Sequence, residues 1–170
     1  MRGVTKEQID VEQETHWTIK RGSWNRLVQH ALDTYPKEAC GILLHHSEKA
    51  THIREVYPTK NVSEEDQARR YLVDPLEYLE ADKWAEEQGL DICGFYHSHP
   101  DHPSAPSEYD GKMAWGGYLY LILSIKGGKF QDARAWIYDS DEEHFSEVMF
   151  KPHPHRPLHQ DPSHSQKHSG

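Results

Sequence analysis

Residues 94–110 read GFYHSHPDHPSAPSEYD, and the reading of this stretch decides where every other element falls. The apolar run Ile92 to His97 has the length and composition of a buried strand, and Pro100, Pro103 and Pro106 then impose a loop from His99 to Pro106. A helix is expected from Ser107 to the Gly116 and Gly117 pair. Side chains alternate along a strand, so His97 and His99 point to one face with Cα atoms about 7 Å apart, while Ser98 faces away. Asp110 lies three residues after Ser107, which puts both on one side of the first helical turn. Two imidazoles and a carboxylate can then meet one metal ion. Such a set leaves a fourth tetrahedral position of zinc open to water, as catalytic sites do. Ser107 and Asp110 also have the pattern of a helix N-cap with a carboxylate at N3, and that role alone would account for them. His102 reads as a loop residue.

Downstream, Tyr118 to Ile125 (YLYLILSI) is a buried strand, followed by a Gly127-Gly128 turn, a strand Ala133 to Tyr138 and a last strand Phe145 to Phe150. Upstream, Trp17 to Lys20 is a short extended piece, and Ser23 would cap a helix with Leu27, Val28, Ala31 and Leu32 on one face, ended by Pro36. Cys40 to Leu44 reads as a central strand, His45 to Lys49 as a turn and Thr51 to Tyr57 as a half-buried strand. Asp74 and Pro75 have the form of an N-cap and first helical residue, opening a helix with Leu76, Leu79, Trp84 and Ala85 toward the core that stops near Gly89. Strands and helices mix without strict alternation. The expected fold class is therefore α/β or α+β, one β-sheet with helices packed on it.

The chain has 170 residues, which suits one domain, placed at 16–150. Residues 1–15 lack apolar periodicity and read as a flexible lead-in, and the Pro-, His- and Ser-rich residues 151–170 as a disordered tail. The 28 Asp and Glu against 19 Lys and Arg give a net charge of -9, which makes nucleic acid a poor partner. No run is long and apolar enough to span a bilayer, and the N-terminus has no secretion signal, so no membrane partner and a cytoplasmic location are expected. Cys40 and Cys93 are the only cysteines, too few for a disulfide framework, and each precedes a glycine inside an apolar strand, as small core residues at a close strand contact do. Trp84, Trp115 and Trp136 are assigned to the core.

His97, Ser98, His99 and Pro100, then six residues, then Ser107 and Asp110 together resemble the JAMM motif of the MPN-plus (Mov34-type) zinc metallopeptidases. The likeness covers roughly residues 17–150, includes Glu38 in KEACGILL, and is strongest to the short prokaryotic branch. It implies the MPN architecture, cytidine-deaminase-like, with a single mixed β-sheet flanked by helices. It also implies one zinc ion per chain on His97, His99 and Asp110, Glu38 as the group that takes a proton from water, and Ser107 as donor to the oxyanion. The implied substrate is the C-terminal tail of a ubiquitin-like or sulfur-carrier protein, cleaved at an amide or isopeptide bond, with the tail in a groove beside the metal. The resemblance allows a homodimer, and no residue establishes one. The alternative is a non-catalytic MPN-type interaction scaffold, against which the intact ligand set argues. No H-E-x-x-H occurs, which excludes a zincin arrangement, and the missing P-C-x-x-C disfavours a deaminase.

Overall fold

The computed structural model describes residues 16–154; the lead-in at 1–15 and most of the tail lie outside the described residues. The elements are β1 (Trp17–Ile19), α1 (Arg21–Thr34), β2 (Cys40–His45), a 3-10 turn (Ser47–Lys49), β3 (His52–Ile53), β4 (Glu55–Thr59), α2 (Pro75–Glu87), β5 (Asp91–Pro100), α3 (Glu108–Met113), β6 (Leu119–Lys126), β7 (Lys129–Asp139), β8 (His144–Val148) and β9 (Phe150–Lys151).

A six-stranded mixed sheet runs in the order β4-β2-β5-β6-β7-β8. Only β5 and β6 are parallel; every other pairing in it is antiparallel. The sheet is buried on both faces, which is why β6 reads as a continuous apolar run. On one face Leu43, Tyr96, Leu121, Leu123 and Ile125 meet Trp24, Leu27, Val28 and Ala31 of α1. On the other, Ile42, Leu44, Phe95 and Tyr120 lie with Ala81 and Ala85 of α2.

Two expected single strands are each split, and the pieces build a second, three-stranded sheet in the order β3-β1-β9. Thr51 to Tyr57 breaks at Arg54, whose N–H turns to the carbonyl of Leu44, so β3 pairs with β1 and β4 with β2. Phe145 to Phe150 breaks at Met149, and β9 crosses to β1. The domain also runs past 150: Lys151 is in β9, and the His153 ring nitrogen Nε2 lies 2.6 Å from the carbonyl of Ile19.

Three local expectations change. Ser23 is inside α1 rather than at its cap, and donates to the Arg54 carbonyl at 2.7 Å, tying the helix to the β3–β4 break. The expected helix after Ser107 ends at Met113, because Ala114 is already extended and the chain turns back through Gly117 at φ 83. Asp74 and Pro75 open α2 as expected, with the Asp74 carboxylate accepting from Leu76 N–H at 2.9 Å. Yet Leu76 and Leu79 are 70% and 61% exposed, and the alanines face the core instead.

Both cysteines are buried, and the glycines after them mark close contacts. A Cβ at Gly41 would strike the ring of Tyr96, and one at Gly94 would strike the carbonyl of Leu119 on the neighbouring parallel strand.

Candidate active site

The site forms where β5 ends. His97 and His99 project from one face of that strand, and Ser98 projects from the other, where its Oγ accepts from Ala39 N–H at 2.8 Å. The two imidazoles converge until their Nε2 atoms are 3.1 Å apart. Asp110 reaches in from α3, with Oδ2 3.1 Å from His99 Nε2 and 3.3 Å from His97 Nε2. His97 and His99 are fully buried and Asp110 nearly so.

The tautomer of His99 is set from outside the trio. His99 Nδ1 lies 2.7 Å from the carbonyl of Pro103, which has no proton to give, so Nδ1 carries the donor hydrogen. In the neutral ring Nε2 is then a lone pair, facing a carboxylate oxygen and a second imidazole nitrogen. Buried acceptors at this spacing repel one another unless a cation or proton lies among them. Four ligands around zinc at 2.0–2.2 Å are about 3.3 Å apart, so the donor spacing and the donor types both fit that ion. His97, for all its neighbours, has a buried Nδ1 with no partner among the described residues.

Asp110 does two things with one atom. Its Oδ2, the oxygen facing the histidines, also accepts Ser107 N–H at 2.8 Å, while Ser107 Oγ accepts Asp110 N–H at 3.1 Å. The capping box and the ligand cluster are one structure, and the two roles of the sequence pattern do not compete. Burial pushes the Asp110 carboxyl up, but the interactions with His97 and His99 outweigh it and hold the group well below the carboxylate range. The hydroxyl proton of Ser107 has no acceptor among the described residues and is free for a ligand.

Glu38 lies just before β2, whose first residue, Cys40, is paired with His97. Its carboxylate is 1% exposed, with Oε1 3.9 Å from His99 Nε2. One atom each from Glu38, His97 and His99 falls within 4.8 Å of the others, a spacing that would admit Glu38 as a ligand. Asp110 is closer to both rings, which favours it as the third ligand and leaves Glu38 at a distance a water molecule can bridge. Neither Glu38 oxygen has a hydrogen-bond partner among the described residues. Burial, opposed by His99 and reinforced by Asp110 and Asp66, pushes its carboxyl up to about 8.

Sequence reasoning missed the surroundings of this cluster. Tyr71 stacks on His97 with ring centroids 4.3 Å apart, and His102, read as an ordinary loop residue, stacks on His99 at 4.1 Å. The loop after β5 is stitched to the sheet by Ser124 Oγ donating to the His102 carbonyl, Ser104 Oγ donating to Asp132, and Trp136 Nε1 donating to the Ser104 carbonyl. Beside Tyr71 an apolar groove of about 460 Å³ runs past Leu79, Phe95, Met113 and Trp115. Trp115, assigned to the core from sequence, is 56% exposed and forms a wall of that groove, and Leu79 lines it rather than packing inward. A tryptophan beside the Gly116–Gly117 turn was the available signal.

Residues 20–138 match the family described as prokaryotic homologs of the JAB domain. The chain belongs to that family. A relative named desampylase from Haloferax volcanii is 38% identical over 109 residues, covering 64% of this chain and 76% of the relative. A probable TtuB-protein conjugate cleaving protease from Thermus thermophilus is 35% identical over 125 residues, covering 74% of this chain and 78% of its own length. Among solved structures, a solution structure from Desulfitobacterium hafniense superposes with a TM-score of 0.69 at 26% identity, over 84% of this chain and 96% of the other. A JAB1/MPN domain protein from Archaeoglobus fulgidus shares the fold at a TM-score of 0.51 and 15% identity, over 80% of this chain and 98% of the other. As a JAB domain, the chain has the expected mixed sheet flanked by helices, with the small β3-β1-β9 sheet added to it. No helix among its described residues is long and apolar enough to cross a membrane.

Proposed function

We propose that this prokaryotic JAB protein is a zinc-dependent hydrolase that cleaves the amide or isopeptide bond at the C-terminus of a ubiquitin-like or sulfur-carrier protein in a conjugate. The observation that carries the reading is the convergence of His97 Nε2, His99 Nε2 and Asp110 Oδ2 beside a buried, unpartnered Glu38 carboxylate. The relatives named desampylase and conjugate cleaving protease support the substrate class.

His97, His99 and Asp110 would hold the zinc. When bound, zinc makes water a nucleophile at neutral pH and polarises a carbonyl oxygen. Glu38 accepts the proton of the attacking water at a carboxylate oxygen and delivers it to the nitrogen of the leaving amine. Ser107 Oγ donates its free proton to the oxygen of the tetrahedral carbon. The carboxyl of Glu38 is pushed up by burial and drawn down by positive charge, so a cation at the cluster tunes it toward a base that works near neutrality. The apolar groove beside Tyr71 receives the extended tail of the carrier, with Trp115 and Leu79 as its exposed walls.

The test is metal content together with cleavage of a carrier conjugate, made on a chain with the His-rich residues 155–170 removed so that the tail adds no metal. About one zinc per chain, lost in His97→Ala/His99→Ala together with cleavage, is the expected result. A chain that holds no zinc under non-chelating conditions would instead be a scaffold.

A further inference from the structure

A buried carboxylate with no hydrogen bond to either oxygen has to be aimed by its backbone and its packing. Glu38 precedes the strand ladder that begins at Cys40, and both of its peptide groups bond to the segment between β4 and α2. Its N–H donates to the carbonyl of Gln67 at 2.7 Å. Its carbonyl accepts from Asn61 Nδ2 at 3.1 Å.

Asn61 is the centre of that segment. Nδ2 donates its second hydrogen to the Arg70 carbonyl at 3.0 Å, and Oδ1 accepts from Ser63 N–H and Leu72 N–H, both at 3.1 Å. All four hydrogen-bonding positions of the amide are thus filled within one side chain. Gln67 Nε2 closes the segment from inside, donating to the carbonyls of Asn61 and Ser63. Residues 61–73 are one hydrogen-bonded body that grips Glu38 on one side and lays Tyr71 over His97 on the other.

We infer that Asn61 is a positioning residue for Glu38, acting through the Glu38 carbonyl so that the carboxylate stays within reach of the water beside His97, His99 and Asp110. The inference rests on the reading of Glu38 as the proton acceptor. Asn61→Asp is the sharpest probe, because it keeps both acceptor bonds and removes both donors, leaving a carboxylate facing the carbonyls of Glu38 and Arg70. Displacement of a catalytic group by about 1 Å costs up to about 100-fold in rate, so kcat is expected to fall about 10- to 100-fold. KM is expected to change less than kcat, because the acceptor for Leu72 N–H beside the groove is kept, and zinc content is expected to hold, because the three ligands are not altered.

The experiment measures kcat, KM, zinc per chain and hydrogen exchange at the Glu38 amide for wild type, Asn61→Asp and Ser23→Ala. Ser23→Ala is the stability control, losing a part-buried hydrogen bond to the Arg54 carbonyl that involves none of the site residues. Expected are a kcat loss confined to Asn61→Asp and exchange at Glu38 faster by about tenfold or more. Unchanged kcat in Asn61→Asp, or a loss shared by Ser23→Ala at a similar drop in melting temperature, overturns the inference. If Asn61→Asp does not fold, Gln67→Met, which removes the donor to the Asn61 carbonyl, is judged by the same criteria. Full activity in Glu38→Gln would remove Glu38 as the base, a failure of the proposed function; the exchange rate would still show whether Asn61 holds the Glu38 backbone.

Discussion

His99 Nδ1 near the end of β5 bonds the carbonyl of Pro103, four residues on in the loop that follows, at 2.7 Å, and this contact turns the lone pair of the ring toward Asp110. A histidine held in this tautomer is a prepared metal ligand, with a backbone carbonyl supplying the outer partner that ligating imidazoles ordinarily have. Stacking of His102 on the same ring at 4.1 Å fixes its plane. His99→Ala is therefore expected to weaken zinc binding by more than about 100-fold, whereas His102→Ala, which loosens the ring without removing the donor, weakens it by about tenfold. Competition against a chelator of known affinity measures both. Equal losses in the two variants would assign His102 a direct bond to the ion.

Glu38 should separate from the ligands by the opposite behaviour. Glu38→Gln keeps the shape of the side chain and removes the base, so cleavage is expected to fall by about 1000-fold with zinc content unchanged. Retained zinc with lost turnover is the outcome that matches the 3.9 Å separation of Glu38 from His99.

The same carboxyl makes a prediction for the metal-free chain. Folding raises Glu38 from its ordinary 4.5 to about 8, so between these values the folded state holds a proton that the unfolded state has released. Stability is then highest below about pH 4.5 on this account and declines as pH rises to about 8. The decline from this one group is on the order of 5 kcal/mol. His30, His52 and His102, which burial pushes down, oppose this trend over the same range, so the comparison is between chains: the melting temperature of the metal-stripped wild type, relative to metal-stripped Glu38→Gln, should fall from pH 5 to pH 8. A relative melting temperature that stays constant or rises over this range would contradict it.

The groove makes a prediction of another kind. Trp115 is 56% exposed, so Trp115→Ala removes little of the folding core, but it strips a wall from the apolar surface that meets Tyr71. KM for a carrier conjugate is expected to rise about tenfold, with melting temperature nearly unchanged. Hydrolysis of a short amide lacking the carrier tail should respond little to the substitution. A uniform loss on both substrates would place Trp115 in support of the metal cluster rather than of the tail.

How much of this was legible in the chain depended on sequence distance. His97, His99, Ser107 and Asp110 fall within one short stretch, where the strand period and the first turn of a helix fix relative directions without knowledge of the rest of the fold. Glu38 is carried to His97 by the pairing of β2 with β5, a non-local register that no local pattern encodes, and resemblance alone picked it out. Asn61 and Tyr71 were invisible for the same reason, since their meaning lies in bonds to Glu38 and in a ring contact with His97. Leu79 was misread because apolar spacing on a helix is the same whether it faces a core or a groove, and Leu76 is 70% exposed. At Met149 the alternation runs on, with Val148 and Phe150 packed against one core, while at Arg54 it slips by one, with Ile53 and Val56 facing the same core three residues apart, a shift too short for the sequence pattern to reveal.

Ser107 has a cap role that the structure shows and a proposed role as donor to the oxyanion, and the two can be separated by choice of substitution. Its Oγ accepts Asp110 N–H as a helix cap, while its own proton is free to reach an oxyanion. Ser107→Ala removes both, so it should lower stability by about 1 kcal/mol and also slow cleavage. Glycine is nearly as good a cap as serine, losing only a few tenths of a kcal/mol, yet it has no hydroxyl. Loss of one oxyanion donor slows kcat by about 100- to 1000-fold, so Ser107→Gly should show that loss with an almost unchanged melting temperature. Ser107→Thr, which keeps acceptor and donor together, should restore much of both. If Ser107→Gly cleaved as fast as the natural chain, the hydroxyl would be a cap and nothing more, and stabilisation of the oxyanion would have to come from the metal alone.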